Sequence, residues 1–328
     1  MKIICEKEKI IKGINSVING VASKTTMPVL EGILIQTNDN EIKLTSYDLE
    51  IGIEYIIECD GSLYKLATMN PDEFPELPKI SVDNSIEVEQ TTLKNMIRKT
   101  IFAVSTEENR PIFTGCLFEV VENKLNVVAI DGYRLAIKSN VLNEKAADFS
   151  AVIPGKTLNE VNKIISDSFE RIKIGISKNQ ALFEMDNCKI VTRLLDGEFL
   201  NYNNAIPTTW ETRIRVNKSN IQDCFERILL ISASSIEKEK KYPVKVKIEI
   251  GKVIISCANQ TGDAKEEIYV ETEGKDLEIG FNPRFFLDAL KAIDDEEVYL
   301  EFGTDRSPCI IKPIENGDYI YMILPIKL

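Results

Sequence analysis

A chain of 328 residues is too long for one ordinary core and suits two or three domains. Its 44% hydrophobic and 28% charged residues fit a soluble globular protein, and no apolar run approaches the ~18 residues of a membrane span. The absence of histidine removes His-dependent triads, most zinc sites and imidazole acid–base chemistry, while the net charge of −12 is opposite to that of a tight nucleic-acid binder.

The same order of elements occurs three times along the chain. MKIICEKE predicts a short strand, its apolar stretch too brief for a signal peptide, followed by a helix with Ile10, Ile14, Val17 and Val21 on one face. VLEGILIQTNDNEIKLTS predicts a hairpin turning at Asn38-Asp39-Asn40. This first copy then stops short, because IIECDG runs straight into SLYKLAT between Cys59 and Ser62. The second copy opens with SIEVEQTTL and a helix over 91–104 carrying Leu93, Met96, Ile97 and Ile101. Its hairpin FTGCLFEVVENKLNVVAI precedes a second helix (Leu158, Val161, Ile165) and three more strands. The third opens with TRIRVNKSN and a helix carrying Ile221, Cys224, Phe225 and Ile228. Alternation at Val244, Val246, Ile248 and Ile250 predicts a half-buried strand, and a helix with Phe286, Leu290 and Ile293 and three strands follow. The proline-marked exits FPELP and NNAIP set domains of 1–82, 83–207 and 208–328, the first shorter than the others by roughly 40 residues.

The seven cysteines (Cys5, Cys59, Cys116, Cys188, Cys224, Cys257, Cys309) are scattered without C-x-x-C spacing, the pattern of reduced thiols in a cytoplasmic protein. Gly155-Lys156-Thr157 looks like half of a P-loop, but Ser150 stands where that motif needs its first glycine, and a turn opening a helix explains the same residues. A glycosidase working through two carboxylates would need a deep cleft with paired acids. No catalytic, metal or cofactor site is predicted.

Several local sequences taken together resemble one family. TMPVLEGILI, LTSYDLEIGI and DEFPELP are similar to the first domain of the bacterial DNA polymerase III beta subunit, the beta sliding clamps. NRPIFTGCLFE, AIDGYRLA and TRLLDGEFLNY resemble its second domain; GFNPRFFLDAL and YMILPIKL resemble its third. The resemblance spans the chain apart from the block missing after Cys59. It implies an α+β DNA clamp fold, with three similar domains of antiparallel sheets outside and helices inside. Two such subunits close head to tail into a ring that encircles double-stranded DNA, slides without sequence specificity and makes replication processive.

The same resemblance implies a peptide-binding pocket between the second and third domains, formed by Phe113, Ile130, Gly132, Tyr133, Arg134, Leu135, Leu200, Asn204, Ala205, Asn282, Phe285, Leu324, Pro325, Ile326 and Lys327. Leu200 stands where proline is common, Ile130 where threonine is, and Leu324 and Ile326 where methionines are, which bears on the preferred peptide. Periodicity alone reads Leu324 and Ile326 as the buried face of a last strand. Lys24 and Arg110 match positions that touch DNA in the family, and Lys94, Arg98 and Lys99 are expected DNA contacts if helix 91–104 lines the hole. The helix carrying Lys94, Arg98 and Lys99 has no acid before Glu107, and a mildly positive lining of the hole or a plain solvated helix face both fit it. Implied interface residues are Tyr64 and Leu66 on one side and Leu230 and Ile231 on the other. Implied partners are DNA, a second copy of the chain, the DNA polymerase III alpha subunit, an ATP-dependent clamp loader and other proteins with clamp-binding motifs, with no membrane. The short first domain leaves a second reading open, a monomeric clamp-like peptide receptor that does not close around DNA.

Overall fold

The computed structural model describes residues 5–38, 41–58, 69–78, 80–107, 109–185, 187–232, 243–259, 262–315 and 317–328. In chain order the first stretch holds α1 (Lys7–Val17), β1 (Leu34–Asn38), β2 (Glu41–Tyr47) and β3 (Ile51–Glu58). Next come β4 (Asn84–Glu89), α2 (Gln90–Arg98), β5 (Gly115–Val121), β6 (Lys124–Ile130) and β7 (Arg134–Val141). β8 (Phe149–Pro154), α3 (Gly155–Ile164), β9 (Arg171–Ile176), β10 (Gln180–Met185) and β11 (Cys188–Arg193) follow. The last stretch begins with β12 (Thr212–Asn217), α4 (Lys218–Ser232), β13 (Val244–Glu249), β14 (Lys252–Asn259) and β15 (Gly262–Tyr269). It ends with β16 (Glu271–Gly274), β17 (Leu277–Phe281), α5 (Pro283–Ala292), β18 (Glu297–Phe302), β19 (Cys309–Pro313) and β20 (Tyr319–Ile323). The chain forms two compact units, one of residues 1–97, 117–125 and 141–197, the other of 98–116, 126–140 and 198–328.

In the first unit an antiparallel sheet runs β1-β2-β3-β11-β10-β9-β4. Pairing of β3 with β11, Ile53 opposite Ile190, joins strands far apart in sequence into this one sheet. α1 lies against β2 and β3 through Gly13, where a Cβ would come within 2.6 Å of Ile57 Cδ1 and 3.0 Å of Leu44 Cδ1. Its buried residues are Gly13, Ser16 and Val17, and the Ser46 hydroxyl donates to the Val17 carbonyl at 2.5 Å, satisfying one of the carbonyls at the helix end. Of the expected face of Ile10, Ile14, Val17 and Val21, Val17 is buried and Ile10 and Val21 are half-buried, but Ile14 is exposed together with Ile11 and Ile18. The apolar residues of α1 cover two faces, and close approach through a glycine decides which one is buried.

The other helices follow their apolar spacing more closely. Leu93, Met96 and Ile97 of α2 are fully buried, but α2 ends at Arg98, short of the expected helix over 91–104; Ile101–Ala103 form a separate 3₁₀ turn. Gly155 opens α3, where the Lys156 ammonium pairs with Asp48 at 2.6 Å and the Thr157 and Thr192 hydroxyls share a hydrogen bond at 2.7 Å, structural uses for the P-loop-like residues.

In the second unit one sheet runs β16-β12-β18-β19-β20-β7-β6 and another β15-β14-β13-β17. α4 buries Ile221, Cys224, Phe225 and Ile228, and Phe225 stacks on Phe286 of α5 with ring centroids 4.6 Å apart. Each such aromatic or aliphatic side chain contributes about 1.5–3 kcal/mol on burial. Ile250 lies beyond the end of β13 and is exposed, so the alternation of Val244, Val246 and Ile248 stops one residue pair earlier than expected.

The repeat seen in sequence reappears in a turn. Asp48 Oδ1 accepts from the Glu50 and Ile51 amides between β2 and β3; Asp131 Oδ1 accepts from the Tyr133 and Arg134 amides between β6 and β7. Leu49 and Gly132 occupy the same left-handed position, at φ 75° and 93°.

Candidate functional site

A connected polar network in the second unit is built on the β6–β7 turn. Asp131 holds the turn through the two amides above and also accepts from Arg134 Nε at 2.9 Å. Arg134 Nη1 donates to Asp288 of α5 at 2.6 Å. The guanidinium lies 4.6 Å from the Phe285 ring centroid and 5.6 Å from that of Phe102, cation–π contacts that a planar guanidinium makes better than an ammonium. Tyr133, 61% exposed, stacks on Phe285 with centroids 6.3 Å apart and planes at 24°. Asn282 caps α5 by accepting from the Arg284 amide at 3.1 Å, which fixes the turn that carries Phe285.

The carboxy-terminal segment joins this cluster through its backbone. The Leu324 amide donates to the Tyr133 carbonyl and the Ile326 amide to the Gly280 carbonyl, each at 2.8 Å. Gly280 is needed there, since a Cβ would lie 2.6 Å from the Ile326 carbonyl oxygen. Leu324, Pro325 and Ile326 are half-buried and Lys327 is exposed. Ile130 and Leu135 are buried and form a floor, while Leu200, Asn204 and Ala205 are exposed around the buried anchor Tyr202. Phe113 belongs to a neighbouring aromatic group, edge-on to Phe199 at 5.8 Å with Arg110 above it at 5.9 Å. The arrangement is a largely apolar surface in which one arginine, paired with two carboxylates, lies beside a solvent-facing aromatic, features that suit recognition of a partner. Sequence reasoning passed over Asp131, Asp288 and Phe102; an Asp-Gly turn pair was visible for the first, but nothing local connects the others to Arg134.

The basic residues are more neutralised than the sequence suggested. Lys94 pairs with Asp167 at 3.1 Å and Arg98 with Asp294 at 2.5 Å. Lys99 is buried, pairs with Asp294 at 3.2 Å and lies 5.1 Å from the Tyr319 ring centroid. Lys24 and Arg110 are exposed. The acids that balance α2 come from segments remote in sequence, which explains why a scan along the helix finds none. Burial opposes charge on Asp294, yet hydrogen bonds from Arg98 and Lys99 outweigh it and hold the carboxyl below its ordinary value. Leu230, near the end of α4, is 73% exposed, and the Asn259 side chain donates to the Ile231 carbonyl at 2.6 Å. Tyr64 and Leu66, and the junction between Cys59 and Ser62, lie outside the described residues.

Among the described residues no three metal-ligating side chains cluster, and no helix is long and apolar enough to cross a membrane.

Comparison with known proteins places the chain in a family. The DNA polymerase III beta subunit family matches through its N-terminal domain at residues 1–60, its central domain at 87–201 and its C-terminal domain at 203–327. The beta sliding clamp of Staphylococcus epidermidis is 31% identical over 380 aligned positions, covering 100% of this chain and 99% of that protein. The sliding clamp structure from Bacillus subtilis is 29% identical with a TM-score of 0.92, covering 100% of this chain and 99% of that one. The DNA polymerase III beta subunit structure from Thermotoga maritima is 25% identical, again with a TM-score of 0.92 and 100% and 99% coverage. The chain belongs to the DNA polymerase III beta subunit family, the bacterial beta sliding clamps, which are processivity factors and not enzymes.

Proposed function

We propose that this clamp closes as a head-to-tail dimer around duplex DNA and holds client proteins through the surface around Tyr133 and Arg134. The observation that carries the client site is the Asp131–Arg134–Asp288 network, which fixes Tyr133 and Phe285 face to face at the surface. Two apolar anchors of a client peptide would gain about 1.5–3 kcal/mol each on burial, and association costs would consume much of that gain. A modest affinity results, raised by effective concentration once the client is also on DNA. The clients in this reading are the DNA polymerase III alpha subunit and other carriers of clamp-binding motifs, in the cytoplasm. Ring opening would fall to a separate ATP-dependent clamp loader.

Exposed Lys24 and Arg110, with Lys94 and Arg98 as partly satisfied cations, supply weak phosphate contacts in this reading, and the buried Lys99 acts by fixing Asp294. Ring closure is assigned to Leu230 and Ile231 on one side and Tyr64 and Leu66 on the other. Three domains are proposed, at 1–82, 83–207 and 208–328, the first lacking its second helix and adjoining hairpin. Supporting this, α1 exposes Ile11, Ile14 and Ile18, whereas α4 is covered by α5. The alignment with the Staphylococcus epidermidis clamp also occupies 380 positions for a chain of 328 residues.

Binding of a labelled clamp-binding peptide from a Staphylococcus polymerase III alpha subunit, read by fluorescence anisotropy, tests the client site. Tyr133→Ala should weaken it about tenfold, the ~1.4 kcal/mol of one lost stacking contact. Unchanged affinity would exclude this surface.

A further inference from the structure

We propose that a cleft beside β1, in the first unit and separate from the Tyr133 surface, takes an extended basic peptide strand of a partner protein. Among the described residues β1 is the terminal strand of its sheet. In the other two modules the strand after the first helix is flanked on its outer side: β5 by β8 and β13 by β17, each of these leading into the module's second helix. Among the described residues no strand flanks β1 in this way. Its row of backbone groups is the template that strand addition uses.

A cavity of about 970 Å³ adjoins this edge, walled by Leu34, Phe74, Leu77, Leu182 and Val191 with Thr45 in its floor. Leu44 and Ser46 of β2 face α1, so the alternation of the strand turns Lys43 and Thr45 to the cavity side. Thr45 is 3% exposed, and its hydroxyl has no hydrogen-bond partner. A buried hydroxyl left alone is disfavoured, so this one is poised for a ligand group that reaches the cavity floor.

Charge selects among peptides. Lys43 is balanced by Glu54 at 3.2 Å and Lys189 by Glu184 at 2.6 Å. Asp72 and Glu76, in the segment that forms the opposite wall, make no ion pair among the described residues. The uncompensated charge at the rim is negative and complements arginine or lysine. Apolar side chains entering the cavity would alternate with basic ones at its rim, the period that an added strand imposes.

The probe is a fluorescein-labelled decapeptide of alternating arginine and leucine, titrated into the full chain carrying Tyr133→Ala so that the client surface contributes little. A glutamate–leucine decapeptide is the control. The basic probe should bind at least tenfold more tightly, and the preference should shrink as salt rises. Asp72→Lys with Glu76→Lys, both at exposed positions, should weaken it about tenfold, and the near-isosteric Thr45→Val about fivefold. Hydrogen exchange of the amides of residues 34–38 should slow in the complex. Equal binding of the two probes, indifference to the Asp72 and Glu76 reversals, or unprotected β1 amides would overturn the proposal.

Discussion

Arg134 shows how one side chain can organise a surface. Its side chain is 12% exposed and that of Asp131 13%, so this pair is desolvated, while Asp288 at 43% keeps much of its hydration. Removing the cation leaves Asp131 Oδ2 buried without its charged partner, while Oδ1 keeps the Tyr133 and Arg134 amides; loss of a buried ion-pair partner runs to about 3–5 kcal/mol. Because Asp288 can rehydrate, Arg134→Met should cost near the lower end, read as a lowered thermal midpoint together with loss of client peptide. A variant as stable as the parent would show that the network is ornamental. The thiols give an independent reading of burial, which pushes Cys116 and Cys188 up to about 12. Both should resist iodoacetamide at pH 8 in the folded chain and react once it is unfolded; rapid labelling of either in the native state would contradict the packing. Asp294 is held below its ordinary value in the folded chain. A carboxyl depressed in this way stabilises fully above its unfolded pKa, about 3.9, and loses that contribution as pH falls through the folded value. Asp294→Asn should therefore lower the thermal midpoint at pH 7, and the deficit should shrink as the pH falls below the ordinary carboxylate range, whereas a deficit independent of pH would argue against the ion pairs.

At the scale of elements, helices with a single apolar stripe were legible in sequence. Ile221, Cys224, Phe225 and Ile228 of α4 are all buried, as their spacing required. α1 was legible only in part: Val17, Ile10 and Val21 lie on the covered side as expected, but Ile14 belongs with Ile11 and Ile18 to a second stripe that the close approach at Gly13 leaves exposed. Substitution separates the two cases. Ile14→Lys, on a face 39% exposed, should change stability by less than about 0.5 kcal/mol, whereas Ile228→Lys, fully buried, should prevent folding. A strongly destabilised Ile14→Lys chain would mean that this face of α1 is covered in solution. The client surface was legible only through likeness to a family. Its key pairing joins Arg134 to Asp288, 154 residues away, and periodicity records only neighbours along an element. The Asp131 turn could be read locally, since Asp followed by Gly at a strand end signals that hydrogen-bond pattern.

For the whole molecule, an acidic chain that works on DNA is consistent once affinity and topology are separated. A closed ring needs no tight grip, and the pairing of Lys94, Arg98 and Lys99 with Asp167 and Asp294 limits how strongly α2 can bind phosphate. The proposed loss of a helix and hairpin from the first domain bears on closure, so mass in solution across a dilution series should show a dimer that weakens at low concentration. Retention on DNA tests the central claim most directly. The chain would be loaded onto a nicked circular plasmid by a bacterial ATP-dependent clamp loader, separated by gel filtration, and the plasmid then cut once with a restriction enzyme. A sliding ring should travel with the circle and leave after the cut. Failure to stay on the circle, or equal retention before and after cutting, would contradict encirclement.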